Sequence, residues 1–311
     1  MIAAPRVPEL AEVVIPDVTS WLTDIGVEHR PAGPDSDRRF LTVGFVVGCL
    51  YFAAVDLFDA DNWEVMKPAA HKVLDGRDQP TWPVPDGELL VDITIDTGNP
   101  TRDALVNGAA RVIARDGLER ATTQRIARAA GLPPSALFSD YRSRQALFGD
   151  VAAKLLNRLY KGSRAEFLMS PSSADNSEPF IRSRQDPRVH EYENALRSQA
   201  MLANRTLLAP SGRDQRRLRL EFHLAAIHDA DIRRALHLAD TDANSFASAA
   251  FRDRYGLDID VVRPAVEMLR VLAQGMMLLE VCTGLAHGVD TRLVFQPLFE
   301  YAVAETIRRH S

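Results

Sequence analysis

The strongest constraint on the fold lies in residues 101–155, where short helical patterns follow one another at close spacing. A helix predicted over Thr101–Asp116 precedes two shorter helical patterns that are separated by Ala130-Gly131-Leu132. Glycine readily adopts the left-handed backbone that ends a helix, and Pro133-Pro134 suits the first turn of the next one. This order predicts a helix-turn-helix, the unit that places a recognition helix in the major groove of DNA.

The charge distribution limits where nucleic acid can be bound. The formal net charge is −5 over 311 residues, so the molecule as a whole is not a binder of polyanions. Residues 101–150, however, hold eight arginines against five acidic residues. We therefore expect any DNA contact to come from this local basic surface.

The spaced motifs of this segment resemble those of the tetracycline-repressor (TetR) family of bacterial regulators. The matching residues, with the family's spacing kept, are Thr122-Thr123, Ile126-Ala127, Ala130-Gly131, Leu137-Phe138-Ser139-Asp140-Tyr141 and Ser143-Arg144-Gln145-Ala146-Leu147. The resemblance is close over the helix-turn-helix and extends to Ser311 only in general layout. It implies an all-α fold in which a three-helix DNA-binding domain precedes a helical domain for ligand binding and dimerisation.

The sequence departs from the family pattern on the side that faces DNA. Pro133-Pro134-Ser135-Ala136 stands where the family has polar or basic residues and a glycine. Phe138 replaces a tyrosine that contacts phosphate, and Asp140 replaces a second tyrosine and would repel phosphate. Arg144 replaces a lysine and keeps its charge. A helical ligand- or partner-binding protein with a decayed DNA-binding head is therefore the alternative interpretation.

The resemblance assigns roles to individual side chains of the DNA-binding head, residues 101–150. We predict base contacts from Ser135, Ala136 and Ser139, with Ala136 suited to a thymine methyl group. We predict phosphate contacts from Arg102, Thr123, Arg125, Tyr141, Arg142 and Arg144. Either Thr122 or Thr123 also caps the second helix, since a side-chain oxygen satisfies free amides there.

Composition divides the chain into four predicted parts. They are a helical extension (1–75), a Pro-, Gly- and Asp-rich linker (76–100), the DNA-binding head (101–150) and a ligand-binding and dimerisation domain (151–311). A head at this late position is unusual. We interpret residues 1–75 as resembling the tail of a ligand domain in a tandem arrangement that has lost its first head. We expect this segment to pack on its own regulatory domain; packing in a dimer interface is the other possibility.

A faint internal repeat agrees with a tandem origin. Val43–Val55 lines up with Arg270–Val281 when Gly48 is set on Gly275. A short loop that contains Asp and a final helix of similar length follow each segment. Two-helix patterns also recur by chance, which is the alternative interpretation.

The apolar run Phe40–Val55 has two interpretations. It is shorter than the roughly 20 residues that a membrane-spanning helix needs, and Asp56 ends it. Gly44 and Gly48 favour close contact with another helix. We therefore expect a buried helix and no membrane contact; a membrane-tethered sensor is the alternative.

Two long helical patterns near the C-terminus predict an interface. Val261–Ala286 and Thr291–His310 are apolar almost all round, which is typical of helices inside a core or a subunit contact. They could form half of a four-helix dimer bundle, so we expect a homodimer on a partly palindromic operator. Its two heads would lie about 34–36 Å apart, one turn of DNA.

The resemblance also implies a small, apolar effector that weakens operator binding by shifting the spacing of the two heads. Residues that could line its pocket are Met201, Phe222, His223, Met276 and Met277. Ordinary core packing is the alternative for each of them.

Other chemistry is not expected. His223, His228 and His237 are not spaced to place ligands on one helix face, so no metal is predicted. The sequence has no phosphate-binding glycine loop and no nucleophile elbow, and we expect neither enzymatic activity nor a cofactor. Cys49 and Cys282 lie in apolar runs and fit a reducing cytoplasm. We thus expect a cytoplasmic, ligand-responsive transcriptional regulator, most simply a repressor.

Overall fold

The fold is all-α in a computed structural model that describes residues 8–27, 33–58, 60–77, 79–83, 94–96, 98–155, 178–203, 212–284 and 289–311. The helices are α1 (Pro8–Asp24), α2 (Pro34–Ala54), α3 (Ala60–Leu74), α4 (Pro100–Asp116), α5 (Thr123–Ala130), α6 (Ser135–Asp140), α7 (144–155), α8 (Pro187–Ala203), α9 (Arg213–Ala226), α10 (Ala230–Tyr255), α11 (Ile259–Thr283) and α12 (Arg292–His310). These ranges contain no strand, which confirms the predicted fold class.

The DNA-binding head forms as its turn signals predict. The Asn99 side chain caps α4 by accepting a hydrogen bond from the Arg102 amide at 3.1 Å. Helix α5 ends at Gly131 with φ 70°, a left-handed conformation that glycine adopts without a steric penalty. Gly108 lets α4 and α5 approach closely, because a Cβ there would lie 2.9 Å from the Ala130 nitrogen. The recognition region is thus held on α4 by small residues.

Helices α2 and α11 cross in direct backbone contact. A Cβ on Gly275 would lie 1.7 Å from the carbonyl oxygen of Gly44, and a Cβ on Gly48 would lie 2.1 Å from that of Val271. Real side chains never approach so closely, so only glycine fits at these two positions. The Arg270 guanidinium lies 4.5 Å above the Phe52 ring at the same crossing. The apolar run of α2 is therefore a buried helix, as Gly44 and Gly48 predict.

Helix α3 completes a four-helix unit within one chain. It packs against both α11 and α12, and α11 packs against α12. We call the unit formed by α2, α3, α11 and α12 the intrachain bundle. Its interior contains Phe40 and Phe45 from α2, Met66 from α3, Val271 from α11 and Leu298 from α12. Helices α2 and α3 therefore pack on the C-terminal helices of their own chain.

This packing gives the two C-terminal helices partners within their own chain. The sequence predicts that Val261–Ala286 and Thr291–His310 pair with a second copy, whereas α2 and α3 of the same chain cover them. Within α11 only Asp260 and Arg263 are exposed. The apolar faces that predict a dimer bundle are covered by α2 and α3 of the same chain.

The membrane alternative finds no counterpart in the described residues. None of the helices there combines the length and the apolar character needed to cross a bilayer.

Helix α9 connects the DNA-binding head to the intrachain bundle. It packs against α4, α10 and α11. The Glu221 carboxylate accepts a hydrogen bond from the Leu118 amide at 2.8 Å, just after the end of α4. Two residues later His223 is hydrogen-bonded through Nδ1 to the Tyr51 hydroxyl of α2. One helix therefore touches both the head and the extension.

The glycine crossing gives the first prediction. Gly275→Ala should lower the free energy of unfolding by about 3 kcal/mol or more, because the new methyl group forces α2 and α11 apart. Gly149→Ala is the matched control, since a Cβ on this glycine of α7 meets nothing within 4 Å. That control should be neutral or stabilising by roughly 0.5–1 kcal/mol. Urea unfolding measures both; equal effects of the two substitutions would contradict the crossing.

The buried histidine gives the second prediction. Burial, followed by the charge of Arg219, lowers the pKa of His223 well below its ordinary value. His223 is therefore protonated below about pH 6.5 in the unfolded chain but stays neutral in the folded chain. Stability should be full above that pH and fall as the pH drops towards 5, by up to about 1.4 kcal/mol per pH unit.

Chemical unfolding at a series of pH values tests this pH dependence. His223→Gln should flatten the dependence, whereas the exposed His228→Gln should keep it. Parallel curves for the wild type and His223→Gln would show that another group titrates.

Candidate DNA-binding face

Helices α5 and α6 are fixed on α4 by a small buried contact set. Ile126 and Leu137 are fully buried in the common core. The ring of Tyr141 is 5 % exposed and anchors the residue that follows α6. The opposite faces of α5 and α6 are left to solvent, as a major-groove contact requires.

The start of α5 resolves the two alternatives for its cap. The Thr122 side chain accepts a hydrogen bond from the Arg125 amide at 3.4 Å, so Thr122 is the N-cap. Thr123 is the first helical residue and is partly exposed. Its side chain therefore lies where the free amides of the helix N-terminus attract anions.

The predicted phosphate-binding arginines lie around this face. Arg142 is exposed, and the Arg144 guanidinium lies 5.5 Å from the centre of the Phe148 ring. Arg125 forms an exposed ion pair with Asp116, with 3.4 Å between Nη1 and Oδ2. Hydrogen bonding from Arg115 lowers the pKa of Asp116, so this carboxylate stays charged and competes with phosphate for Arg125.

The Tyr141 hydroxyl is hydrogen-bonded inside the head. Its hydroxyl donates to Asp150 and accepts from Arg102 Nε at 3.0 Å, inside the head. Burial raises the pKa of Asp150, but hydrogen bonds from Lys154 and Tyr141 outweigh this effect and hold the pKa below its ordinary value. The Tyr141 hydroxyl therefore joins an internal ionic network, and a phosphate contact would require it to leave Asp150. Arg102 is held by the same network at the start of α4.

The outer face of α6 contains one residue that the sequence analysis undervalues. Ser135 and Ser139 are exposed, and Ala136 is half-buried. Phe138 shares this face by helical spacing, and its side chain is 62 % exposed. The family pattern marks Phe138 only as the replacement of a tyrosine that contacts phosphate. Its spacing of three residues from Ser135 already places the ring beside that serine.

The predicted effector-binding residues occupy more than one environment. Met276 packs against Gly44 of α2, and His223 contacts Tyr51 of the same helix. These α2 positions are seven residues apart, or roughly 10 Å along a helix.

The other predicted effector-binding residues lie in further environments. Phe222 and Met277 are fully buried. Met201 lies apart on α8, which packs against α10 and α12. The set is therefore not one cluster, and its members nearest to each other surround the junction of α2, α9 and α11.

A buried polar residue lies on the same part of α11. Gln274 is fully buried, and neither its amide nitrogen nor its amide oxygen has a hydrogen-bond partner. Met277 is three residues further on and shares its helix face. In the described residues no group of three His, Cys, Asp or Glu side chains is placed to hold a metal ion.

Comparison with known proteins identifies the head. Residues 105–151 match the family of "Bacterial regulatory proteins, tetR family", a range that runs from α4 to the middle of α7. No curated protein and no solved structure matches the chain. The matched range contains the turn, the exposed face of α6 and the Thr122 cap described above. Residues 105–151 of this chain are therefore a DNA-binding domain of the tetR family type.

Proposed function

We propose that the chain represses transcription in the cytoplasm by binding operator DNA through α5 and α6, and that a small effector releases it. The observation that carries the proposal is the exposed face of α6, where Ser135, Phe138 and Ser139 lie between the arginines of the head. A recognition helix with short polar residues can enter the major groove while the surrounding cations hold the phosphates.

Phosphate contacts would fix the position of the head on the duplex. Arg142 and Arg144 follow α6, and Thr123 and Arg125 lie at the start of α5, so they can grip the backbone on either side of the groove. Arg102 would add a contact from the start of α4. These cations neutralise phosphates in any sequence, so they supply affinity and salt dependence rather than specificity.

Base recognition would come from the outer face of α6. The Ser135 and Ser139 hydroxyls can donate to or accept from base edges, and Ala136 can contact a thymine methyl group. Phe138 is the larger apolar group on that face. We propose that its ring packs against a thymine methyl group and thereby offsets the lost phosphate contact of a hydroxyl.

The effector would act at the junction of α2, α9 and α11. His223, Met276 and Met277 supply apolar surface there, and the buried Gln274 amide could bind a single polar group of an otherwise apolar molecule. An amide without partners in the interior costs about 1–3 kcal/mol, which a ligand could recover. A shift of α9 would reach the head through Glu221 and Leu118, and the effector could shift this equilibrium by its differential affinity for the two states.

The alternative function is partner or ligand binding without DNA recognition. It is favoured by Asp140, which is exposed at the end of α6 and would face phosphate with a negative charge. The DNA-binding experiment separates the two functions.

The third prediction tests DNA binding. The chain should bind duplex DNA from upstream of its own gene with a sequence preference, and affinity should fall linearly on a log–log scale with salt. Arg144→Ala should weaken binding to all sequences about equally and make the salt dependence shallower. Ser135→Ala should change the preference between sequences instead.

Fluorescence anisotropy with labelled duplexes gives these values. The control is Arg252→Ala, which removes an exposed arginine of α10 outside the head and should leave affinity unchanged. Binding without sequence preference or salt dependence would favour the alternative function.

The fourth prediction tests Phe138. Replacing thymines of the bound site by uracil, one position at a time, should weaken wild-type binding at one position by about 1 kcal/mol, because uracil lacks the methyl group. Phe138→Ala should weaken binding to the thymine site and abolish its preference over uracil. Phe138→Tyr should keep the preference. If Phe138→Ala discriminates thymine from uracil as well as the wild type does, the methyl contact is excluded.

A further inference from the structure

We infer that this chain binds its operator as a monomer at a single asymmetric site, with α2 and α3 in the place of a second subunit. The inference rests on the proposed function, because it specifies the DNA that the same head binds. It replaces the expectation of a palindromic operator bound by a homodimer.

The contact between α2 and α11 is symmetric in the residues that it joins. The internal repeat that sets Gly48 on Gly275 also sets Gly44 on Val271. In the structure Gly48 packs against Val271, and Gly275 packs against Gly44. A twofold interface between identical subunits gives this reciprocal pattern, in which residue i contacts j and j contacts i. The intrachain bundle therefore has the contact pattern of a dimer interface made within one chain.

The interface between α2 and α11 is also closed to a further helix. The glycine positions leave no room for another helix, since a Cβ on Gly275 would already lie 1.7 Å from the Gly44 oxygen. Helix α12 exposes only Ala304, Arg308 and Arg309 within its own range. A second copy could use these faces of α11 and α12 only by displacing α2 and α3.

The two sides of the intrachain bundle differ in the helices that cover them. Helix α11 packs on α2 and α3 at one side and also on α9 and α10, and α9 carries the contact with the head. The outer face of α2 lacks such a cover: Val46 is 51 % and Leu50 is 67 % exposed. Within the described residues the extension thus supplies the interface helices without the helices that would carry a second head.

One head per bundle changes the expected operator. A helix-turn-helix dimer binds two half-sites whose centres lie about 10–10.5 base pairs apart, so its operator has dyad symmetry. A single head contacts one half-site and imposes no symmetry. On a duplex with an inverted second half-site, two chains should bind independently, with at most the twofold statistical gain in apparent affinity.

The experiment measures the mass of the full chain in solution and selects the DNA sequences that it binds. Light scattering after gel filtration should give a mass near 34.5 kDa, the mass of one chain. Selection from random duplexes should yield a motif without dyad symmetry. Anisotropy titrations should show one chain on that motif and non-cooperative binding of two chains on its inverted repeat.

The outcomes separate this inference from the proposed function. A mass of two chains together with cooperative binding to the inverted repeat would overturn the inference alone. A search that finds no sequence preference would overturn the proposed function, and the operator claim with it.

A charged substitution tests the remaining route to a dimer. Leu50→Asp places a charge on the bare face of α2, outside the glycine crossing. It should leave both the mass and the affinity for the selected motif unchanged. A dimeric wild type that becomes monomeric with Leu50→Asp would locate a dimer interface on α2 and contradict the inference.

Discussion

The architecture depends on one backbone-to-backbone contact between α2 and α11. Dispersion forces fall steeply with distance, so two helices that touch through Gly44, Gly48 and Gly275 gain contacts along their whole length that bulkier residues would forfeit. This contact fixes α2 on α11, and α3 then covers α11 and α12. The region that in the sequence seems to be an appendage is therefore half of the central bundle. It also closes the surface on which two copies could have paired.

Helix α9 gives this bundle a mechanical connection to the DNA-binding head. Glu221 binds the Leu118 amide beyond α4, and His223 binds Tyr51 on α2. Both contacts are buried or partly buried, so breaking either leaves polar groups without partners at a cost of about 1–3 kcal/mol. A rearrangement of the bundle interior would therefore move α9, and α9 would displace the end of α4 in the head.

The sequence predicts local structure well and long-range partners poorly. The turn at Gly131 and the close packing of Gly48 depend on backbone sterics, which act the same way wherever the residue lies. The apolar faces of α11 and α12 predict burial but not what buries them, because a second copy and a tandem segment offer the same chemistry. The surroundings of Tyr141 show the same limit: its hydroxyl can bind phosphate or Asp150, and only the fold shows that Asp150 is adjacent.

A single head also changes how an effector can work. In a two-headed dimer a ligand can weaken binding by changing the distance between heads, without altering either head. One head has no such distance, so regulation must alter the head itself or its presentation. The contact available in the described residues is that of α9 with the end of α4, where Glu221 holds the Leu118 amide beside Gly117 at φ 83°. Helix α4 carries α5 and α6, so a small tilt there would lift the recognition helix relative to the phosphate-binding arginines. The proposed effector would then have to bind the two tilts of α9 with different affinity, which is why we propose its site at the junction of α2, α9 and α11.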